Sequence, residues 1–402
     1  MAEAPAVPLP YRRDGSPPFD PADEFRRLRA EQPVTRLTLP SGAYAWIITG
    51  YEDAREVLSD PRFSNSRATH QSLLRVPSGA EPPSLVRQPG TLIGYDPPEH
   101  TRLRRMLTGE FTAKRINRLR PWLEEIVTQH LDEMERAGPP VDLVQAFALP
   151  VPSLVICELL GVPYRDRADF QRRSSMALDL TLSPEEMRAV FVEMFGYMAE
   201  LVAGQRRDPG DGMLGMLVRE RGDELSDAEL IGIGNLLLLA GHETTANMLG
   251  LGTLLLLRHP GQMAMLRDDP DVVEQAVEEL LRYLSIVHFG QIRTATEDVT
   301  VSGQLIKADE HVIVSLPSAN RDNALCDDPD RFDIARVPTA HVAFGHGIHH
   351  CLGAPLARME MRIAYPALLR RFPGLRQAVP VEEVPFRSMM SVHGVRELPV
   401  TW

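Results

Sequence analysis

Residues 231–257 are nearly all apolar or small. As a helix this stretch would run about 40 Å at ~1.5 Å per residue, long enough to cross a bilayer. Its centre argues against that. His242, Glu243, Thr244, Thr245 and Asn247 sit midway, and one acidic residue there costs roughly 2.5–3.5 kcal/mol on insertion scales. Arg219-Glu220-Arg221 precedes the stretch and Arg258-His259-Pro260 ends it. The better reading is a helix buried through a large core, with a polar working point halfway along.

The surrounding pattern supplies that core. Helical periodicity dominates from Pro98 onward, over about 98–108, 112–136, 147–161, 165–179, 183–206, 211–220, 226–257, 260–268, 270–284 and 354–370. Val34–Leu39 and Tyr44–Thr49 read as two strands joined at Pro40-Ser41-Gly42, and Asp53–Ser59 as a short helix. Strand-like segments return at Val299–Leu305, Val312–Ser315 and near the C-terminus. Residues 64–95 read as a long loop and the proline-rich 1–22 as an extended arm. No repeat or linker divides the chain. The expectation is one domain over 1–402, mainly α with a small β-rich region.

A net charge of −12 argues against general nucleic-acid binding. Lys114 and Lys307 are the only lysines, an arginine bias that reads as codon usage and not as a binding signal. Cys157, Cys326 and Cys351 are far apart and odd in number, which fits a reducing compartment without disulfides. Cys157 lies in an apolar run and reads as core; Cys326 reads as incidental. The N-terminal residues show no apolar leader pattern, so a cytoplasmic protein, off the membrane and monomeric, is expected.

Cys351 stands in Phe344-Gly345-His346-Gly347-Ile348-His349-His350-Cys351-Leu352-Gly353, just before a helical pattern. A tight glycine-rich loop strips a thiolate of solvent, and the helix N-terminus that follows favours the anion. Such a thiolate is a metal ligand or a nucleophile. The spacing F-x-x-G-x-H-x-C-x-G resembles the haem-ligand loop of the cytochrome P-450 monooxygenases. The resemblance implies the fold of that family, with its long central helix over the haem. It makes Cys351 the axial ligand of a haem b iron, within a loop that includes Phe344 and Gly353; thiolate ligation disposes the iron toward O–O cleavage.

Ala240-Gly241-His242-Glu243-Thr244-Thr245 lies halfway along the apolar stretch. Ala240 and Gly241 leave the helix surface nearly bare, so a flat cofactor and a diatomic ligand can approach. Thr244 lies four residues after Ala240, where its hydroxyl can bond the Ala240 carbonyl and bend the helix. Glu243 beside it suits proton delivery. Taken alone, a helical Thr and a paired Glu are as ordinary a reading. The match of A-G-x-E-T-T to the oxygen-activation motif of the family favours the catalytic one, with Thr245 left to pack or bond locally.

The resemblance extends further. Glu279-Leu280-Leu281-Arg282, with Arg331 downstream, is similar to the family's Glu-Arg-Arg core that braces the cysteine loop, and Arg321 belongs to the same meander. Haem propionates need cations, and the resemblance places His100, Arg104, Arg293 and His349 beside them; arginine suits carboxylates because its planar fork meets them bidentately. Arg102, Arg105, Lys114, Arg115, Arg358 and Arg362 fall on the side implied for docking an acidic donor. Lys307-Ala308-Asp309-Glu310 departs from the usual Pro-Ala-Gly-Glu turn, and Asn323 also departs from the pattern; both changes are expected to loosen turns.

The implied activity is hydroxylation or epoxidation of a bulky, mostly hydrophobic small molecule, such as a macrolide or other polyketide, a terpenoid or a xenobiotic. It would use O2 and electrons from NAD(P)H, passed through an iron–sulfur ferredoxin with a separate reductase. The pocket is expected from 64–95, 170–200, the Gly232–Thr245 face, 285–293 and Met389–Val392, including Met176, Leu178, Leu236, Ala240, Ile286, Val287 and Met390. The competing readings are a peroxide-using haem enzyme, a non-catalytic haem protein, and a zinc site from His341, His346, His349, His350 and Cys351. The first two do not need the acid–alcohol pair, and the third lacks a paired-cysteine pattern.

Overall fold

The apolar stretch does form the centre of the protein, but as two helices and not one. The computed structural model describes residues 18–39, 44–66, 88–163, 182–288, 290–388 and 390–402, with single positions between 164 and 181. The chain opens with α1 (Asp23–Glu31), β1 (Val34–Thr38), β2 (Tyr44–Ile48), α2 (Tyr51–Ser59) and β3 (Phe63–Ser64). Then come α3 (Glu99–Thr108), α4 (Ala113–Ala137), β4 (Val141–Asp142) and α5 (Pro150–Leu160), the last entered through a π-helical turn at Val144–Ala148. The main helical layer follows: α6 (Pro184–Arg207), α7 (Met213–Arg221), α8 (Asp227–Gly241), α9 (Glu243–Leu257), α10 (Pro260–Asp268) and α11 (Val273–Leu284). Strands β5 (Gln291–Ala295), β6 (Val299–Val301), β7 (Gln304–Ile306) and β8 (His311–Val314) precede α12 (Ala354–Arg371), β9 (Arg376–Gln377) and β10 (Pro399–Thr401).

Helix α8 starts where Ser226 accepts from the Glu229 backbone N–H and Glu229 reaches back to the Ser226 N–H, a reciprocal cap that satisfies two end donors. It ends at His242, whose φ of −98° and ψ of −46° depart from the helical values on either side. Thr244 donates its hydroxyl to the Ala240 carbonyl at 2.7 Å and Thr245 donates to Gly241 O at 3.5 Å. These hydroxyls occupy carbonyls that a continuous helix would offer to backbone N–H groups, and the helix breaks there. The expected helix over 226–257 is therefore right in extent and wrong in continuity. No helix among the described residues is long and apolar enough to cross a membrane.

Helix α9 is buried almost throughout and packs on α5, α11 and α12. Gly252 permits the approach to α12: a Cβ there would sit 2.0 Å from the Tyr365 hydroxyl, which donates to Met248 O. The sheet side has strand order β1-β2-β8-β5-β3. Its β1–β2 pair is antiparallel, and β2 runs parallel to β8 with Trp46 opposite Val312.

Several expectations change in detail. The single strand expected at Val299–Leu305 is the hairpin β6–β7, turned at Ser302 and Gly303 with φ of 44° and 76°. Asp309 does occupy a left-handed position, φ 65°, but its turn is pinned by side chains: Glu310 accepts from the Lys307 N–H at 2.9 Å and Asp298 from the Ala308 N–H at 2.9 Å. Of the expected arm, positions 1–17 lie outside the described residues; Phe19 is buried and Asp20 accepts from Arg321 at 3.0 Å. The loop expected at 64–95 and the helix expected at 165–179 fall largely outside the described residues, as do Leu178 and Met389.

Candidate active site

The cysteine loop is folded by its own backbone. The Cys351 N–H donates to Phe344 O at 2.9 Å, Gly345 N–H to Val342 O at 2.8 Å and His350 N–H to Gly347 O at 3.1 Å. Gly345 and Gly347 take φ of 73° and 71°, which side chains disfavour. Gly347 has a second constraint: a Cβ would lie 2.4 Å from the Leu58 carbonyl of α2. Gly347→Ala is expected to lift the loop off α2 and to cost about 1–3 kcal/mol. Lower haem content per chain and a lower urea midpoint would show it; an unchanged midpoint would mean that the loop is not held there.

Cys351 is open on one side, yet protein surrounds its sulfur. Burial pushes the thiol up from its ordinary range. Backbone N–H groups of Gly353 and Ala354 and the guanidiniums of Arg104 and Arg358 oppose that push. Arg358 also lies over the Phe344 ring, 4.6 Å from its centre.

On the central helices, Ala240 is exposed although most of α8 around it is buried. Thr244, half-buried, follows one turn later on the same face. Gly241 does something other than expected. Its bare side meets Ile156 of α5, where a Cβ would lie 2.7 Å from Ile156 Cδ1. Gly241 therefore seats two helices against each other, and Ala240 alone leaves open surface.

Glu243 is fully buried. Its Oε2 accepts from Arg387 Nη1 at 2.7 Å, and Asn247 Nδ2 donates to the Glu243 backbone carbonyl at 2.7 Å. His242 Nε2 lies 3.7 Å from Glu243 Oε1. Burial pushes the His242 imidazole down, with Glu243 pulling partly the other way. Its Nδ1 stands 3.2 Å from Leu238 O, a contact suited to a ring carrying its proton there.

A family model described as Cytochrome P450 matches residues 185–391. The protein named cytochrome P450-SU2 of Streptomyces griseolus is 48% identical over 397 residues, covering 99% of this chain and 97% of its own length. The chain belongs to the cytochrome P450 family. Pentalenic acid synthase of Streptomyces avermitilis is 46% identical over 400 residues, covering 99% of this chain and 98% of the relative. The crystal structure of CYP105P1 in complex with filipin I superimposes with a TM-score of 0.92 at 43% identity, over 100% of this chain and 99% of that one.

A P450 is a haem enzyme, and the residues present fit that group. A deep cysteine stays open on one face, and Ala240 leaves a bare patch on a buried helix. His100 is buried, and neither ring nitrogen finds a hydrogen-bond partner among the described residues. Its ring packs 4.3 Å from that of His349. Arg104, one turn along α3, donates to His350 O at 2.8 Å. Three of the four residues expected beside the propionates are thus gathered at the cysteine loop. Arg293 is buried on β5 and donates to Asn65 Oδ1 at 2.9 Å and to Ile292 O at 2.8 Å.

The bracing network departs from expectation at one member. Glu279 and Arg282 are buried and pair bidentately at 2.9 and 2.8 Å. Arg282 also donates to Asn320 O and Pro329 O, both at 2.8 Å, and the Asp333 N–H donates to Glu279 Oε1 at 2.9 Å. Arg331 is not the third member: its side chain is 64% exposed and pairs with Asp333. Arg336 takes that place, with Nε 3.4 Å from Glu279 Oε1 and its other nitrogens donating to Asp327 O, Asp328 O and Arg331 O. Arg321 is buried and stacks 3.5 Å over the Tyr283 ring, as a member of the same meander.

The basic cluster is partly neutralised within the P450 itself. Arg102 pairs with Glu99 and Glu229, and Arg115 with Glu110. Arg358 grips Glu278 at 2.7 Å and Arg362 lies 3.2 Å from Glu274. Burial pushes the Glu278 carboxyl up, but His341 and Arg358 outweigh it and hold it at about 2. Arg105 and Lys114 are exposed. A zinc site finds no support: no group of three or more metal-binding side chains occurs among the described residues. Arg336 and Arg387 are site residues that the sequence did not single out. Asn247 stood out only as one of the polar residues midway along the apolar stretch, one turn after Glu243, with no role assigned.

Proposed function

We propose that this P450 hydroxylates or epoxidises a bulky, mostly hydrophobic secondary metabolite or xenobiotic in the cytoplasm. Electrons come from NAD(P)H through a ferredoxin and a separate reductase. The observation that carries the reading is the break at His242, which sets a buried acid beside a threonine whose hydroxyl already bonds the Ala240 carbonyl. Close similarity to a protein named pentalenic acid synthase supports the metabolite class.

In this reading Cys351 ligates the iron, Phe344 and Gly353 bound its loop, and His100, Arg104, Arg293 and His349 hold the propionates. Ala240 and Gly241 mark the distal helix, of which Ala240 lies against the ligand space. Haem, when bound, would supply the activation of O2, one atom of which enters the substrate while the other leaves as water. The protein orients substrate, excludes bulk water and moves protons. Thr244 passes a proton from its hydroxyl, and Glu243 replaces it. Arg105 and Lys114, the exposed members of the basic cluster, offer free charge to an acidic donor.

A spin-state titration with macrolides, terpenoids and steroid-like compounds tests the substrate class; a response only to small polar compounds would reject it. Thr244→Ala tests the relay. Product per NAD(P)H should fall roughly tenfold or more, with peroxide making up the difference. Unchanged coupling would remove Thr244 from proton delivery.

A further inference from the structure

Arg293 is the expected propionate partner that the structure does not gather at the cysteine loop. It comes from β5 and is 2% exposed. Its Nη1 is held by two neutral oxygens, Asn65 Oδ1 and Ile292 O. An enclosed guanidinium gains most from a carboxylate that meets its planar fork, so the direction in which it is held decides what it can bind.

Asn65 reaches Arg293 by register. In the antiparallel pair of β3 and β5, Phe63 lies opposite Ala295 and Ser64 opposite Thr294. The next step along that ladder brings Asn65 to Arg293. Asn65 is buried, and other bonds fix it. Its backbone N–H donates to Asp96 Oδ1 at 2.8 Å, and its Nδ2 donates to Ile93 O at 2.5 Å. Ser64 donates its hydroxyl to Asp96 Oδ2. With the amide nitrogen turned to a carbonyl, the amide oxygen faces Arg293. Asp96 also helps to start α3, because its carbonyl accepts from the His100 N–H at 3.0 Å. One acid therefore orders His100 directly and Arg293 through Asn65.

The neutrality of position 65 matters. A carboxylate there would compete with a propionate for the guanidinium, and charge-assisted bonds are about twice as strong as neutral ones. The amide gives direction without competing. We propose that Asn65 is a positioning residue for the cofactor: braced by Asp96 and Ile93, it aims Arg293 at a haem propionate through an uncharged oxygen. This rests on the reading of Arg293 as a propionate partner and adds what aims it.

The test uses the haem-loaded full chain and follows transfer of haem to an excess of a scavenging apoprotein, a readout apart from turnover. Asn65→Asp is expected to speed haem loss on the order of tenfold and to shift the propionate bending band in the resonance Raman spectrum. Asn65→Leu removes the same bonds without adding a charge, and should lose haem several-fold more slowly than Asn65→Asp. Arg293→Met should also speed the loss, and Asn65→Asp should add little in that background, because its target is gone. Haem loss that only follows the fall in melting temperature across these variants, or losses that add in the double variant, would reduce Asn65 to a packing residue. So would parent-like retention in Asn65→Asp while Arg293→Met loses haem; the propionate reading would then stand alone. If Arg293→Met keeps both the parent rate and the parent propionate band, that reading falls and the role of Asn65 falls with it.

Discussion

Cys351→Ala abolishes the strongly red-shifted Soret band that the dithionite-reduced protein shows under carbon monoxide. Monooxygenase activity falls to background with it. The effect is large because one sulfur carries the whole electronic role. The alanine leaves the loop backbone in place: the Cys351 N–H still donates to Phe344 O and both glycine turns persist. The variant should therefore fold, and a thermal transition close to the parent separates loss of ligand from loss of structure. A parent spectrum typical of imidazole ligation, or a red-shifted band that survives in the variant, would remove Cys351 from the iron. Burial pushes the thiol up in the protein alone, so ligation through the thiolate should release a proton, and haem retention should weaken as pH falls.

Glu279→Ala is expected to give the largest loss of stability. The carboxylate is buried and meets Arg282, Arg336 and the Asp333 N–H. Removing it leaves the Arg282 guanidinium charged and enclosed. Breaking one side of a buried pair costs about 3–5 kcal/mol, much of what an ordinary protein has to spare. The expected product is insoluble or haem-poor protein. Two neighbouring arginines sharpen the prediction. Arg336→Ala should reproduce much of the loss, since it removes the contact to Glu279, leaves Asp327 O without its donor and takes one of two donors from Asp328 O and Arg331 O. Arg331→Ala, an exposed change, should stay within roughly 0.5 kcal/mol. Haem-to-protein ratio and urea midpoint report all three; a large loss in Arg331→Ala with none in Arg336→Ala would reverse the assignment.

That comparison also shows what a sequence can carry. The cysteine loop was legible because its function is local: eight consecutive residues, Phe344 to Cys351, set where the sulfur lies, and two glycines mark its turns. Glu279 and Arg282 were legible because three residues along a helix share a face. Their third partner was not. Arg331 and Arg336 lie in the same irregular meander, where no period says which side chain turns inward. The break at His242 was half legible. Thr244, four residues after Ala240, announced a hydroxyl able to bond that carbonyl and bend the helix, and the bond is there; that the bend would be a full break was not written in the spacing. Gly241 read as open space for a cofactor, but absence of a side chain does not say what fills the gap, and here Ile156 does. Arg387 lies 144 residues from Glu243, and no pattern in one chain announces such a pairing.

The parallel pairing of β2 with β8 has a consequence for synthesis. Trp46 meets Val312 in that ladder. The β1–β2 hairpin leaves the ribosome long before its partner strand exists, and at ~5–20 residues per second the delay is on the order of tens of seconds. For that time one edge of the hairpin is unpaired while Ile47 and Ile48, later buried, are still exposed. The nascent chain is thus most vulnerable to sticking at its beginning and is rescued near its end. Expression at lower temperature or with added chaperones should raise the soluble yield more than further stabilising the finished core.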